Sequence, residues 1–234
     1  IMMNQELNIN RDLIHTIRNK CRVCYTCVRE CPAKAIKIIN GQAEVMQERC
    51  VTCGNCIKVC SQGAKVYLDT KGKVYQMLSN GKTNVAMVAP SFPAEFPDIE
   101  DHGKFVGMIR ALGFEVVSEV SFGADLIAGQ YHELITQDGS QRYISSDCPA
   151  IVAYVERYHP ALVDHLAPIA SPMVAMSRVM KQKYGDHINL VFIGPCIAKK
   201  SESDEVDEMI KKHDLKDQSG GLSQGKEIIK NVLD

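Results

Sequence analysis

Cys21-Arg22-Val23-Cys24-Tyr25-Thr26-Cys27-Val28-Arg29-Glu30-Cys31-Pro32 decides how the first third of this chain is read. Its thiols are spaced C-x2-C-x2-C-x3-C, and the spacing returns at Cys50, Cys53, Cys56 and Cys60. Three thiolates on a tight loop wrap three corners of an iron–sulfur cubane, and a distant fourth closes it. Pro32 redirects the chain after its cysteine. Ser61 stands at the matching place in the second run and removes no ligand. Zinc, the competing reading, prefers paired C-x2-C units with a longer gap and four ligands per site. Disulfide frameworks of small secreted proteins rarely repeat in this manner. The pattern points to two [4Fe–4S] clusters.

The double run resembles that of the bacterial dicluster ferredoxins, in which the fourth cysteine of each set ligates the other cluster. The resemblance implies Cys21, Cys24, Cys27 and Cys60 on one cubane and Cys50, Cys53, Cys56 and Cys31 on the second. Around the cysteines, Ile36, Ile38 and Val45 flank Asn40-Gly41 and predict a hairpin. Val66, Leu68 and Val74 around Lys71-Gly72 predict a pseudo-symmetric second one. Ahead of them, Leu13, Ile14 and Ile17 have helical spacing and predict a short helix over Asn10–Asn19, packed on the module.

The 234 residues, 45% of them hydrophobic, suffice for one core domain plus a small module. A net charge of −1 carries no footprint of nucleic-acid or membrane-surface binding. No apolar run approaches the ~20 residues of a spanning helix. The first residues lack the basic and apolar regions of a signal peptide. The expectation is a soluble cytoplasmic protein whose partners include neither nucleic acid nor membrane.

Asn80-Gly81 marks a change of pattern. The expected organisation is a helical lead over 1–19, a ferredoxin-type α+β module over 20–80 and an α/β domain over 81–234. In the last part, strands are predicted at Asn84–Ala89, Phe114–Val120, Tyr143–Ser146 and Leu190–Gly194. Helices are predicted over Asp101–Leu112 with Gly113 as its stop, from Ser121 through Leu134, over Pro149–Tyr158, and from the Ser171 cap to Tyr184 with Gly185 closing it. Alternation of this kind implies a mainly parallel sheet covered by helices. Functional groups then gather at the carboxyl ends of strands. Pro90-Ser91, Asp147-Cys148 and Pro195-Cys196 all fall at such ends. Singly, a free cysteine reads as a small buried hydrophobe. Jointly, Cys148 and Cys196 read as ligands of a further cluster.

At these residues the sequence resembles the iron-only ([FeFe]) hydrogenases. Ser145-Ser146-Asp147-Cys148-Pro149 is similar to the family's T-S-C-C-P motif. Pro195-Cys196-Ile197-Ala198-Lys199-Lys200-Ser201-Glu202 is similar to P-C-x-A-K-K-x-E. Gly113–Val117, Phe122–Leu126, Ala89-Pro90-Ser91 and Ser171-Pro172 add to the resemblance, which covers residues 20–202. It implies an H-cluster, a cubane joined to a two-iron centre with carbonyl and cyanide ligands. Cys148 and Cys196 would ligate that cubane, Pro90 and Ser91 would line the two-iron subsite, and Lys199 would donate to a cyanide. Glu202 would serve a proton path.

Two departures follow. Asp147 stands where the family has its proton-delivering thiol, and carboxylates titrate far lower than thiols. Slow turnover is the expectation, and sensor-like family members also lack this thiol. The family also uses two further cysteines in a downstream C-x3-C pair, and none follows Cys196 here. Ser219-Gly220-Gly221 resembles a family T-G-G element. Glu202–Lys212 reads as helical and Gly225–Leu233 as an amphipathic helix. This remainder is too short to finish the family's domain and points to a fragment, or to residues missing around Lys211–Gly220, in preference to a protein that has lost the complete site. The seven histidines form no ligand-spaced pair, and Met173, Met176 and Met180 read as core.

The resulting expectation is a hydrogenase-like enzyme or hydrogen sensor, fed by a redox partner such as a ferredoxin or an oxidoreductase and acting on hydrogen and protons. The alternatives are a non-catalytic electron-transfer or redox-sensing module without the two-iron centre, and an iron–sulfur assembly protein.

Overall fold

A computed structural model describes residues 13–137 and 141–203. In chain order the elements are β1 (Ile14–Thr16), α1 (Thr26–Glu30), β2 (Ile36–Ile39), β3 (Gln42–Val45), α2 (Asn55–Lys58), β4 (Lys65–Tyr67), α3 (Lys71–Leu78) and β5 (Asn84–Val88). They continue with α4 (Phe92–Glu95), α5 (His102–Ala111), β6 (Val116–Glu119), α6 (Ser121–Gln137), α7 (Pro149–Tyr158), α8 (Pro172–Tyr184) and β7 (Asn189–Ile193). The described residues divide into two compact units. One takes in 13–75, 141–169 and 195–201, the other 76–137, 170–194 and 202–203.

The first unit carries the double cysteine run. Asn40 and Gly41 both have positive φ, 49° and 70°, the conformation a two-residue type I′ hairpin demands. β2 and β3 therefore pair antiparallel, with Ile36 opposite Val45. β4 pairs antiparallel with β1, Thr16 opposite Lys65 and Ile14 opposite Tyr67. The two ladders are related by the 29-residue offset that relates Cys21 to Cys50 and Cys31 to Cys60. α1 and α2 correspond in the same way. Ile14, Ala35, Ile36, Val51, Cys27, Cys31 and Cys56 share the core between them.

Two expectations are corrected here. The segment expected as a helix over Asn10–Asn19 is, over its described residues, β1 followed by a single 3-10 turn at Arg18–Lys20. Ile14 is buried and His15 exposed, a period of two, and β4 needs a partner. Ile17 N–H to Ala64 O at 2.8 Å and Leu68 N–H to Leu13 O at 2.9 Å lengthen that ladder. The second expected hairpin, around Lys71-Gly72, is absent because β1 already pairs with β4. Lys71 opens α3 instead, its N–H bound by Asp69 Oδ1 at 2.9 Å.

Later segments complete this unit. Pro149 opens α7 and Pro160 stops it, followed by a 3-10 turn at Pro160–His165. Tyr143–Ser146, expected as a sheet strand, contributes only a parallel bridge from Ile144 to Leu166. Its serines turn the chain: Ser146 Oγ donates to Ile169 O at 2.7 Å, and Ser145 Oγ to Asp147 Oδ2 at 2.8 Å. Of the three expected strand-end positions, Asp147-Cys148 thus does not follow a strand of the parallel sheet.

The second unit holds that sheet, ordered β6-β5-β7 with both pairings parallel. β5 is buried along its whole length, as a central parallel strand covered on both faces must be. Ser171 Oγ accepts the Val174 N–H at 3.4 Å and caps α8, and Gly185 ends it at φ 87°. A Cβ on Gly123 of α6 would stand 2.4 Å from the Pro172 carbonyl oxygen, so glycine lets α6 and α8 approach. Met176 and Met180 lie with Val85, Met87 and Val179 in the core, and Met173 is buried too. The Glu202–Lys212 helix is described only at its start, as part of a helical stretch over 198–203. Ser219-Gly220-Gly221, Gly225–Leu233 and His213 lie outside the described residues.

Candidate metal centres

Each cysteine run is a loop whose backbone turns repeatedly into the left-handed region. Val23 and Tyr25 have φ of 53° and 63°, and their counterparts Thr52 and Gly54 have 52° and 80°. Lys34 at 46° answers Gly63 at 58°. A β-branched residue such as Val23 is rarely found there, and the cost is of order 1–3 kcal/mol each. The left-handed turns recur at matching positions of the two loops, and they are costly wherever the residue is not glycine.

The loops enclose two recesses. The first is lined by Cys21, Cys24, Cys27 and Cys60, with Thr16, Ala43 and Lys65, around about 350 Å³ of space that is partly open to solvent. The second is lined by Cys31, Cys50, Cys53 and Cys56, with Ile14, Ile36 and Val51, around about 310 Å³. Each therefore receives three thiols from one run and the fourth from the other. Backbone N–H groups point at sulfur: Ala35 to Cys31 at 3.3 Å, Ala64 to Cys60 at 3.3 Å and Thr52 to Cys50 at 3.4 Å. Such bonds stabilise thiolate charge. Among the described residues no three His, Cys, Asp or Glu side chains are grouped to hold a single metal ion. The quartets are spread around their recesses, the arrangement that suits a cluster.

Burial works against bare thiolates here. Desolvation pushes the Cys56 thiol up to about 12, and raises Cys27 and Cys50 as well. At Cys24 a hydrogen bond with Thr26 lowers the thiol instead. Buried thiols of this kind become ligands when metal replaces their protons. Donor type, number and surroundings fit a [4Fe–4S] group in each recess.

Cys148 and Cys196 are both exposed and belong to the same unit as the recesses. Cys148 is the N-cap residue of α7 without using its side chain to cap. The far end of α7 docks on the second loop. Tyr158 Oη lies 2.6 Å from Ala33 O and 2.9 Å from Arg49 O, and the Arg157 guanidinium donates to the Cys50 carbonyl. The Cys196 turn docks there too. A Cβ on Gly54, between Cys53 and Cys56, would stand 2.8 Å from Ile197 Cδ1. Lys199 Nζ donates to Asp147 O at 3.1 Å and joins the Cys196 turn to the residue before Cys148. Lys200 Nζ reaches Leu68 O at 3.2 Å and Thr70 Oγ1 at 2.8 Å.

The remaining expected residues lie in the other unit. Pro90 and Ser91 are exposed and follow the carboxyl end of β5, and Ser91 is the N-cap residue of α4. Glu202 is half-buried in the helical stretch that begins at Ala198. Sequence reasoning missed Lys65 as a lining residue, although the 29-residue offset sets it against the apolar Ile36. It also missed Arg157 and Tyr158, whose docking roles carry no motif.

Residues 82–217 match the family model of the iron-only hydrogenase large subunit, C-terminal domain. The chain belongs to this family. Residues 14–61 match a 4Fe-4S dicluster domain. Iron hydrogenase 1 of Clostridium pasteurianum is 27% identical over 223 residues, 80% of this chain and 38% of that protein. The NADP-reducing hydrogenase subunit HndD of Solidesulfovibrio fructosivorans is 25% identical over 240 residues, 86% of this chain and 41% of its own length. The cytosolic Fe-S cluster assembly factor NAR1 of Sclerotinia sclerotiorum is 26% identical over 215 residues, 78% of this chain and 36% of that protein. The chain spans about two fifths of the length of these relatives. It is a hydrogenase-like iron–sulfur protein with an N-terminal dicluster module and a parallel-sheet unit. No described helix is long and apolar enough to cross a membrane.

Proposed function

We propose that this chain is a slow hydrogenase-like redox protein, in which two [4Fe–4S] clusters and an H-cluster-like group supply one-electron transfer and hydrogen oxidation or proton reduction, used for turnover or for hydrogen sensing. Cys21, Cys24, Cys27 and Cys60 hold the first cubane, and Cys31, Cys50, Cys53 and Cys56 the second. Cys148 and Cys196 ligate a third. Lys199 donates toward an anionic ligand, Pro90 and Ser91 line the two-iron subsite, and Asp147 and Glu202 serve proton transfer. The partner is a ferredoxin or an oxidoreductase in the cytoplasm.

The observation that best supports this reading is the seating of the Cys196 turn on the second loop. Ile197 fills the space above Gly54, and Lys199 ties the turn to Asp147. Gly54 lines the second recess, so the residue after Cys196 packs against a recess expected to carry electrons. The full-length protein, matured anaerobically with a verified maturation system, should show the infrared bands of carbonyl and cyanide on iron. It should turn over hydrogen slowly. Rapid evolution contradicts the role given to Asp147. No bands, with iron near about eight per chain for the two cubanes alone, leaves the second reading: an electron-transfer or redox-sensing module without the two-iron centre. The likeness to an Fe-S cluster assembly factor favours keeping that reading in view.

A further inference from the structure

The two recesses match in loop geometry, thiol number and strand pairing. They differ sharply at one buried position. Ile36, the first residue of β2, lines the second recess and is 6% exposed. Its counterpart Lys65, the first residue of β4, lines the first recess and is 3% exposed.

Lys65 is held in place rather than snorkelling outward. Its Nζ donates to Thr16 Oγ1 at 2.5 Å and to Ala43 O at 2.6 Å, while Thr16 Oγ1 donates to Ala43 O at 2.5 Å. Both acceptors are neutral, and Lys65 forms no ion pair with a carboxylate among the described residues. A buried ammonium without a countercharge is costly. The compensation must come from the recess it lines. Four thiolates around a cubane leave a net negative charge, which grows by one on reduction. A fixed cation beside it favours the reduced form, and the low dielectric of the interior strengthens the effect.

We propose that Lys65 is a built-in charge that raises the reduction potential of the cluster held by Cys21, Cys24, Cys27 and Cys60 above that of its pseudo-symmetric twin. The electron then rests preferentially on the Lys65 side. Lys65 lines the first recess and not the second, so the first cluster gains more. This inference rests on reading both recesses as cubane sites.

The test is an EPR-monitored redox titration of the full chain, loaded anaerobically with iron and sulfide, comparing the natural protein with Lys65→Met and Lys65→Arg. Two one-electron waves are expected for the natural protein. In K65M the upper wave should fall by at least a tenfold change in its reduction equilibrium, about 59 mV for a one-electron couple, and the gap should narrow. K65R keeps the charge and should keep the gap. An unchanged gap in K65M, or equal shifts of both waves, overturns the proposal. Should K65M fail to load, the natural protein decides alone. A gap set by a buried charge persists in 1 M salt, where surface fields are screened within about 3 Å. A gap that collapses there, or a single two-electron wave in the natural protein, also overturns it. Iron near eight with unmoved waves defeats only the role of Lys65, whereas absence of iron defeats the reading of the recesses itself.

Discussion

The two halves of the cysteine module are built alike and surrounded differently. Each wraps a recess with three thiols, borrows a fourth, and pays for the wrap in left-handed backbone. The first half buries a cation, Lys65, in its wall. The second carries Ile36 there, and it is the half on which Arg157, Tyr158 and Ile197 dock. Internal repetition supplies the cluster sites, and divergence of single residues gives each site its own work. One half carries a lysine in its wall, and the other is packed against α7 and the residue after Cys196.

The largest effects should come from breaking the exchange of fourth ligands. Cys60→Ala is expected to abolish the same EPR signal as Cys21→Ala, and Cys31→Ala the same signal as Cys50→Ala. Each should drop iron from about eight to about four per chain. Pairing of Cys60 with Cys50 instead would show that the recesses are misassigned. Next in size is Gly54→Val. It places a β-branched residue at φ 80° and a Cβ 2.8 Å from Ile197, and should cost of order 1–3 kcal/mol in thermal unfolding. It should also loosen the Cys196 turn, read as faster alkylation of Cys196 in the cluster-loaded protein. The symmetric position predicts the opposite sign. Tyr25 has φ 63° and an exposed ring, so Tyr25→Gly should stabilise by about 1 kcal/mol. The smallest effect is expected from Tyr158→Phe, which removes the hydroxyl beside the Ala33 and Arg49 carbonyls and should cost about 1 kcal/mol.

Legibility followed the range of the interactions. The cysteine sets, the Asn40-Gly41 turn, the Ser171 cap and the buried run of β5 are local signals, and all of them stand in the structure where the spacing puts them. The segment around Leu13, Ile14 and Ile17 misled because three apolar residues satisfy a helix as well as a short strand. Only the free edge of β4, some fifty residues on, decides between them. Tyr143–Ser146 misled because its two serines bond to nearby groups rather than to a sheet. Cys148 and Cys196 were recognisable by motif, but the docking of α7 and of the Cys196 turn on the second loop depends on Gly54, Ile197 and Tyr158, which no motif names. Lys65 was hidden because a lysine in a strand is read as solvent-facing unless its repeat partner is set beside it.

Every role assigned to this chain depends on two cubane clusters in these two recesses. Iron, acid-labile sulfide and zinc should be measured on the anaerobically purified chain, together with the EPR spectrum after reduction with dithionite. Two reduced [4Fe–4S] signals, with iron and sulfide near equal at about eight or more per chain and zinc absent, are the predicted result. Zinc in place of iron, or a single cluster bound by all eight thiols, would contradict it.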